Sequence, residues 1–202
     1  ELGDQGIKNL FIMSRGVDTD LFKPRKHRNM LDGKRPVSLY LGRVAVEKNI
    51  EAFLSLELPG SKHVIGDGPA HSALKKKYPD VRFHGYKTGK DLSNHLASAD
   101  VMVFPSKTDT FGLVILEAMA CGVPVAAYPV QGPVDIIENG RSGYTSDDLR
   151  TAAMKALDVD PESCRDRALE FSWEMVGQQF FDNLAPITTI GDQTAFQSVS
   201  GE

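Results

Sequence analysis

The feature that most limits how this chain can fold is a regular alternation, from residue 37 onward, of short β-rich apolar runs with stretches of helical periodicity. "VSLYLG" (37–42) is a run of strand formers stopped by Gly42, and "EKNIEAFLSLE" (47–57) then places Ile50, Phe53 and Leu54 near the spacing of one helical face. "SKHVIGDGPA" repeats the pattern as a strand entering a Gly-rich turn, and the helical "AHSALKKKYP" follows, closed by Pro79. The series continues with the strand "VRFHGY", the helix "KDLSNHLASA" and the strand "DVMVFPS". Next come the helix "GLVILEAMACG", ending at Gly122, the strand "VPVAAYP" and a last short strand in "SGYTS". Two helices, "DDLRTAAMKALDV" and "SCRDRALEFS", complete the pattern. Strands alternating with helices are joined by right-handed crossovers, which make the strands parallel and cover both faces of the sheet. An α/β fold with a doubly wound parallel sheet is predicted over 37–170.

The flanks differ. "NLFIMSRGV" (9–17) reads as a lone apolar strand, set apart from the sheet by the basic and polar "PRKHRN". At the other end Trp173, Val176, Phe180 and Leu184 recur at helical spacing behind Ser172, a good N-cap residue, and predict an amphipathic helix over 171–186. "TTIGDQTAFQSVSGE" has no periodicity, so a flexible tail is expected over 187–202. The opening "ELGDQGIKNL" is polar, without an initiator Met or a signal-peptide pattern; residues 1–36 are expected to be an interdomain strand and linker left from a longer polypeptide.

Composition narrows the function classes. With 41% hydrophobic and 25% charged residues the chain has the make-up of a soluble protein with a real core. A formal charge of -4 argues against broad nucleic-acid binding, which needs a basic surface. No apolar run approaches the roughly 20 residues of a membrane span. Cys121 and Cys164 stand far apart without metal-ligand spacing, which predicts free thiols and a reducing compartment.

Ligands of open parallel sheets bind beyond the carboxyl ends of the strands, so the loops there are the places to search. "LGRVAVEKN" sets Arg43 and Lys48 just past Gly42. A planar guanidinium fork and a mobile ammonium could converge on one diphosphate, or be ordinary surface charges. "VIGDGPA" carries Gly66 and Gly68, which either let a ligand approach the backbone or make a tight turn. The third Gly of the dinucleotide fingerprint is missing, and the motif is not on the first strand. "FHGYKT" offers backbone groups at Tyr86 and Lys87 to the edge of a flat base, or is a turn with an exposed Tyr. His84 reads as a satisfied strand residue. In "SKTDTFGLVILEAMACGV", Asp109, Thr110, Phe111, Gly112 and Leu113 lead into a helix whose first amides suit phosphate. Glu117 lies about one and a half turns further on, between Leu116 and the apolar Ala118 and Met119. A carboxylate buried there costs several kcal/mol unless it meets donors. The two hydroxyls of a ribose would supply them, and those of a hexose could meet Asp109.

In this order, "GR" with "EKN", "IGDGP", "GY" and "FPSKTDTFGLVILEAMACGVPVAAYPVQGPVDIIENGRSGY" resemble the donor-binding half of the group 1, family 4-type, retaining glycosyltransferases. The resemblance covers about 12–185 and is most specific over 104–144. It implies a GT-B fold: two Rossmann-like domains face a cleft, with the acceptor domain, which comes first, missing here. The family's Glu-x7-Glu pair, one acid near the transferred sugar and one on the ribose, falls on Asp109 and Glu117. Asp109 is one methylene shorter than the family's acid. Arg43, Lys48 and Asp109 then form the catalytic set, with Arg43 and Lys48 stabilising charge on the leaving diphosphate. Gly42, Gly66, Gly68, Tyr86, Lys87, Thr110, Phe111, Gly112, Leu113 and Glu117 form the donor-binding set. No metal and no cofactor are implied, because the nucleoside diphosphate sugar, a UDP- or GDP-sugar, is itself the substrate. The implied partners are that donor, the missing N-terminal domain and, through it, a membrane surface, in the cytoplasm. The fragment alone is expected to be inactive, and "TDTFGLVILEA" suggests a lipid or saccharide acceptor. A GT-B sugar-nucleotide epimerase and a non-catalytic nucleotide-binding module stay open as alternatives. A nicotinamide oxidoreductase is disfavoured by the incomplete glycine fingerprint.

Overall fold

The computed structural model describes residues 3–6, 10–11, 13–109 and 111–184. The predicted tail over 187–202 lies outside the described residues. The strands are β1 (Val37–Leu41), β2 (Ser61–Ile65), β3 (Arg82–Phe83), β4 (Val101–Phe104), β5 (Val125–Ala127) and β6 (Gly143–Thr145). They form one sheet in the order β3-β2-β1-β4-β5-β6, every neighbouring pair parallel. β1 lies centrally, with Ser38 in register with Lys62 of β2 on one side and Val101 of β4 on the other. All of β1 is buried, as a strand must be when helices cover both faces of its sheet.

The helices are α1 (Ile50–Leu54), α2 (His71–Lys77), α3 (Gly89–Leu96), α4 (Leu113–Ala120), α5 (Pro133–Ile136), α6 (Leu149–Ala156), α7 (Pro161–Leu169) and α8 (Trp173–Asp182). Alternate strand residues point to opposite faces, and the sheet divides the core in two. On one side Tyr40, Val64, Val103 and Ala126 pack with Ile50 and Phe53 of α1, Leu74 of α2 and Ala152 and Ala153 of α6. On the other, Leu39, Leu41, Met102 and Val125 pack with Leu96 of α3, Ile115 and Met119 of α4 and Cys164 and Ala168 of α7. Cys121 and Cys164 are free, buried thiols.

The stretch before β1 is packed onto this unit. Phe22 and Leu31 belong to the second half-core. Asp100, entering β4, accepts from Arg28 at 2.9 Å, from Arg35 at 2.5 Å and from the Val37 amide at 2.6 Å. Arg165 of α7 reaches across to the carbonyls of Phe22 and Thr19, at 3.1 and 3.2 Å.

Several expectations are corrected. The helix predicted over 47–57 is a 3-10 turn at Val46–Lys48 followed by α1, because Asn49 between them has φ of 52°. Its side chain donates to the Pro105 carbonyl at 3.0 Å, which fixes that break. β3 shrinks to Arg82–Phe83 where "VRFHGY" predicts a longer strand. The strand predicted over 9–17 is absent from the described residues there: Leu10, Phe11 and Met13 are exposed, and Val17 alone makes a bridge, to Ser172. Among the described residues of that stretch the pairing is limited to Val17, whose amide donates to the Phe171 carbonyl at 2.8 Å. The sequence pattern does not anticipate α5, which starts with Pro133 at its first position, although a proline after Gly132 suits a helix start. α8 forms as predicted, with the Ser172 hydroxyl accepting from the Met175 amide at 3.2 Å. Val176 is buried, whereas Trp173, Phe180 and Leu184 remain exposed.

Gly66 owes its identity to the sheet itself. With φ of +134°, a Cβ there would sit 1.9 Å from the Gly42 carbonyl oxygen, where the exits of β1 and β2 run side by side. Gly66→Ala is therefore expected to cost about 3 kcal/mol or more, because backbone must move as well as strain. At Gly85, φ +68°, a Cβ would meet no atom within 4 Å. Gly85→Ala should lose only about 1–2 kcal/mol, the left-handed penalty alone. Urea unfolding midpoints at constant slope compare the two; equal losses would mean that the Gly42 contact gives way freely.

Candidate active site

The strand order reverses between β1 and β4, whose onward helices α1 and α4 lie on opposite faces. Such a reversal leaves a crevice at the carboxyl ends of the two strands, and the candidate residues gather there. Tyr40, buried in β1, donates its hydroxyl to the Arg43 carbonyl at 2.7 Å and holds the turn in shape. Burial, with Asp109 and Glu47 nearby, raises the Tyr40 phenol far above its usual value and keeps it a donor. Val44 joins this turn to the next: its amide donates to the Asp67 carbonyl at 2.9 Å, and its carbonyl accepts from the Ala70 amide at 3.1 Å. The Arg43 side chain is 63% exposed and reaches Glu47 at only 3.4 Å. Lys48 is more enclosed and pairs with Asp109 at 2.5 Å across the crevice. That ion pair links the loop after β1 to the loop after β4.

Two adjoining cavities fill the crevice. The smaller, about 330 Å³, is lined by Arg43, Lys48, Asp109, Phe111, Gly112 and Leu113, with Arg15 at its rim. The open amides at the start of α4 add partial positive charge to its cationic side chains. The larger, about 690 Å³, is lined by Gly66, Asp67, Tyr86, Lys87, Leu92 and Glu117 among others. Leu41, Gly42, Arg43 and Val114 line both. Tyr86 is 75% exposed at its mouth, and Lys87 pairs with Asp91 at 3.0 Å.

Glu117 extends from α4 into the larger cavity with no hydrogen bond or ion pair among the described residues. Burial raises its carboxyl to about 7. A half-buried acid with no internal partner is suited to accept two hydroxyls from a ligand, which would return it to the ionised form.

Of the predicted site residues, all but two are brought together here. Gly68 lines neither cavity; a Cβ on it would meet the Val44 carbonyl oxygen at 2.4 Å, so it supports the joined turns. Thr110 lies outside the described residues. Sequence reasoning misses Arg15, whose guanidinium lies over the Phe111 ring, 5.9 Å from the centroid. A lone Arg in the apolar "NLFIMSRGV" is the available signal. Phe22 and Leu21, also lining the larger cavity, give none, because they precede the sheet. Among the described residues no group of three His, Cys, Asp or Glu side chains is arranged to hold a metal ion.

The family profile described as glycosyl transferases group 1 matches residues 35–158. The chain belongs to the group 1 glycosyl transferases. A GDP-mannose-dependent alpha-mannosyltransferase of Corynebacterium glutamicum is 35% identical over 155 residues, covering 73% of this chain and 38% of that protein. A sulfoquinovosyl transferase of Arabidopsis thaliana is 36% identical over 155 residues, covering 71% and 30%. This chain thus spans less than two fifths of the length of these group 1 relatives. Sucrose-phosphate synthase of Thermosynechococcus elongatus superposes with a TM-score of 0.73 at 25% identity, covering 85% of this chain and 51% of that one. The Anabaena protein HepE, solved in complex with UDP, has the same fold, with a TM-score of 0.69 at 20% identity over 85% and 56% of the two chains.

The raised Glu117 carboxyl has a consequence for stability. Its folded value of about 7 exceeds the ordinary 4.5, so its contribution is fully present below about 4.5 and is lost as pH rises through about 7. Glu117→Gln should abolish that decline, making the variant less pH-sensitive than the parent between pH near 5 and near 8. Urea midpoints of the ligand-free protein test this, and parallel pH profiles would show that the carboxyl ionises freely in water.

Proposed function

We propose that this chain is the donor-binding domain of a retaining glycosyltransferase that moves a hexosyl group from a nucleoside diphosphate sugar to a lipid or saccharide acceptor. The observation that carries the reading is the pair of joined cavities: a cationic one holding Lys48, Arg43 and Asp109, and a roomier one holding the unpartnered Glu117. The ribose would lie on Glu117, the base between the Gly66 turn and the Tyr86–Lys87 loop, and the diphosphate beside Arg43, Lys48 and the start of α4. The GDP-mannose dependence in the name of the Corynebacterium relative favours a GDP-sugar.

In this reading Arg43 and Lys48 stabilise the negative charge that grows on the leaving diphosphate as the glycosidic bond breaks. No metal is needed for that step. Arg43 gives up only a long, exposed pair with Glu47, a kind that contributes about 0–1 kcal/mol, so it is free to turn to a phosphate. Lys48 carries three N–H donors and can meet a phosphate while keeping Asp109. The sugar would then lie against Asp109. A preceding acceptor domain would face this crevice, with residues 13–16 and α8 directed towards it, and any membrane contact would be made through that domain.

Arg43→Ala and Lys48→Ala should each weaken GDP or UDP binding by about 1.5–3 kcal/mol and leave the bare nucleosides nearly unaffected. Calorimetry distinguishes this from a fold-supporting role, in which both ligands lose equally. The two acids should separate. Asp109→Ala releases Lys48, so it should keep or strengthen binding of the bare diphosphate yet weaken the intact sugar nucleotide. Glu117→Ala should weaken every ribonucleotide, and a 2′,3′-dideoxy nucleotide should show little further loss with that variant. Simple addition of those two losses would remove Glu117 from the ribose.

A further inference from the structure

Arg15 stands at the rim of the smaller cavity on a stretch of backbone that is fixed on its C-terminal side. The next residue, Gly16, is buried against α8. A Cβ there would lie 2.5 Å from the Trp173 ring and 2.9 Å from the Trp173 Cα, so a larger residue would have to push α8 away. Val17 then donates its amide to the Phe171 carbonyl at 2.8 Å and bridges to Ser172, the residue that caps α8. Beyond it the Asp18 carboxylate accepts from the Asp20 amide at 3.1 Å and the Leu21 amide at 2.8 Å, a turn that brings Phe22 into the core. The root of the Arg15 side chain is thus held, although the residue is exposed.

Its guanidinium is held loosely. The contact it makes among the described residues is with the Phe111 ring, 5.9 Å from the centroid, close to the outer limit of about 6 Å for an attraction of this kind. No carboxylate or carbonyl among the described residues accepts from its five N–H groups. Arg15 approaches the cavity beside Phe111, on the loop that leads into α4, whereas Arg43 and Lys48 stand on the loop after β1. Lys48 is paired with Asp109, which lines the same cavity, so those two charges cancel. Arg43 then faces the cavity's ligand alone. The two phosphates of a nucleoside diphosphate sugar carry one negative charge each, and the lining cation left to match the second is Arg15.

We propose that Arg15 is a binding residue for the terminal phosphate, the one that carries the sugar. The inference rests on reading the crevice as the site of a nucleoside diphosphate sugar. The order of the two arginines along the ligand follows from the cavities. Arg43 lines both of them, and Arg15 lines only the smaller, away from Glu117. Arg43 therefore suits the phosphate next to the nucleoside, and Arg15 the phosphate beyond it. The Arg15 guanidinium exchanges a weak contact with a ring for a charge-assisted fork on phosphate oxygens. Because its root is tied to the start of α8, the bound diphosphate would join that helix and the stretch before the sheet to the loop after β1.

The test uses the 202-residue chain and Arg15→Met, which keeps an unbranched apolar stem beside Phe111 and removes the charge. Calorimetry should show GDP and UDP each binding about tenfold more weakly to the variant, the low end for a hydrogen bond to a charged group, as fits an exposed site. GMP and UMP, which lack the terminal phosphate, should change by less than about twofold. Arg15→Lys, which restores the charge without the fork, should bind both diphosphates more tightly than Arg15→Met. Urea midpoints of both variants should match wild type, since the side chain supports no other contact among the described residues. Equal losses for diphosphates and monophosphates would assign Arg15 to the fold of the rim, and a loss confined to the GDP-sugar, with GDP unchanged, would assign it to the sugar. Either result, unchanged binding of every ligand, or no gain from Arg15→Lys over Arg15→Met would overturn the proposal and leave the nucleotide reading standing. Failure of wild type to bind either diphosphate would overturn both.

Discussion

Everything in this molecule follows from burying both faces of β1. A parallel strand covered on both sides must send its crossover helices to opposite faces on its two flanks, and at that divergence the loops cannot close over one another. The opening between the ends of β1 and β4 is therefore a product of packing rather than of any ligand. What makes it a site is the composition of the loops around it. Gly66 shows the order of causes well: its motif suggests room for a ligand, yet the glycine is needed first for the approach of two strand exits.

The charges of the crevice are arranged in degrees of readiness. Arg43 is exposed and loosely held, Lys48 is enclosed and engaged across the crevice, and Glu117 has no partner among the described residues. A ligand with anionic and hydroxyl groups at the right separation would meet all three needs at once. Each taken alone has an ordinary explanation: a surface pair, a loop-to-loop ion pair, a helix acid near its apolar neighbours. Their placement around two joined cavities is what distinguishes the functional reading, and membership of the group 1 glycosyl transferases supplies its chemistry.

Much of this is legible in the sequence because period and punctuation are local. The strand–helix alternation locates all six strands, and Ser172 marks the start of α8 through its capping geometry. What fails is whatever depends on neighbours distant in the chain. The run at 9–17 has strand-like composition, but pairing needs an available edge, and no residue pattern announces one. The break at Asn49 depends on a carbonyl 56 positions away. Arg15 joins the site only because the stretch before β1 folds back onto the unit. His84 is satisfied, as its sequence context suggests, but its partners, His63 and His95, come together only once β2 and α3 are in place.

A core divided by a sheet also governs how sequence changes accumulate. Ile50 and Phe53 belong to one half-core and Met119 and Ala168 to the other, with the strands between them. Substitutions on opposite sides should therefore combine additively, to within about 0.5 kcal/mol, whereas pairs on one side couple. The exceptions are Tyr144 of β6, which packs against both halves, and the crevice, where Tyr40 from one half and α4 from the other border the same space. Drift in one half-core can proceed with little trace in the other, and the two histories meet at Tyr144 and at the loops around the crevice.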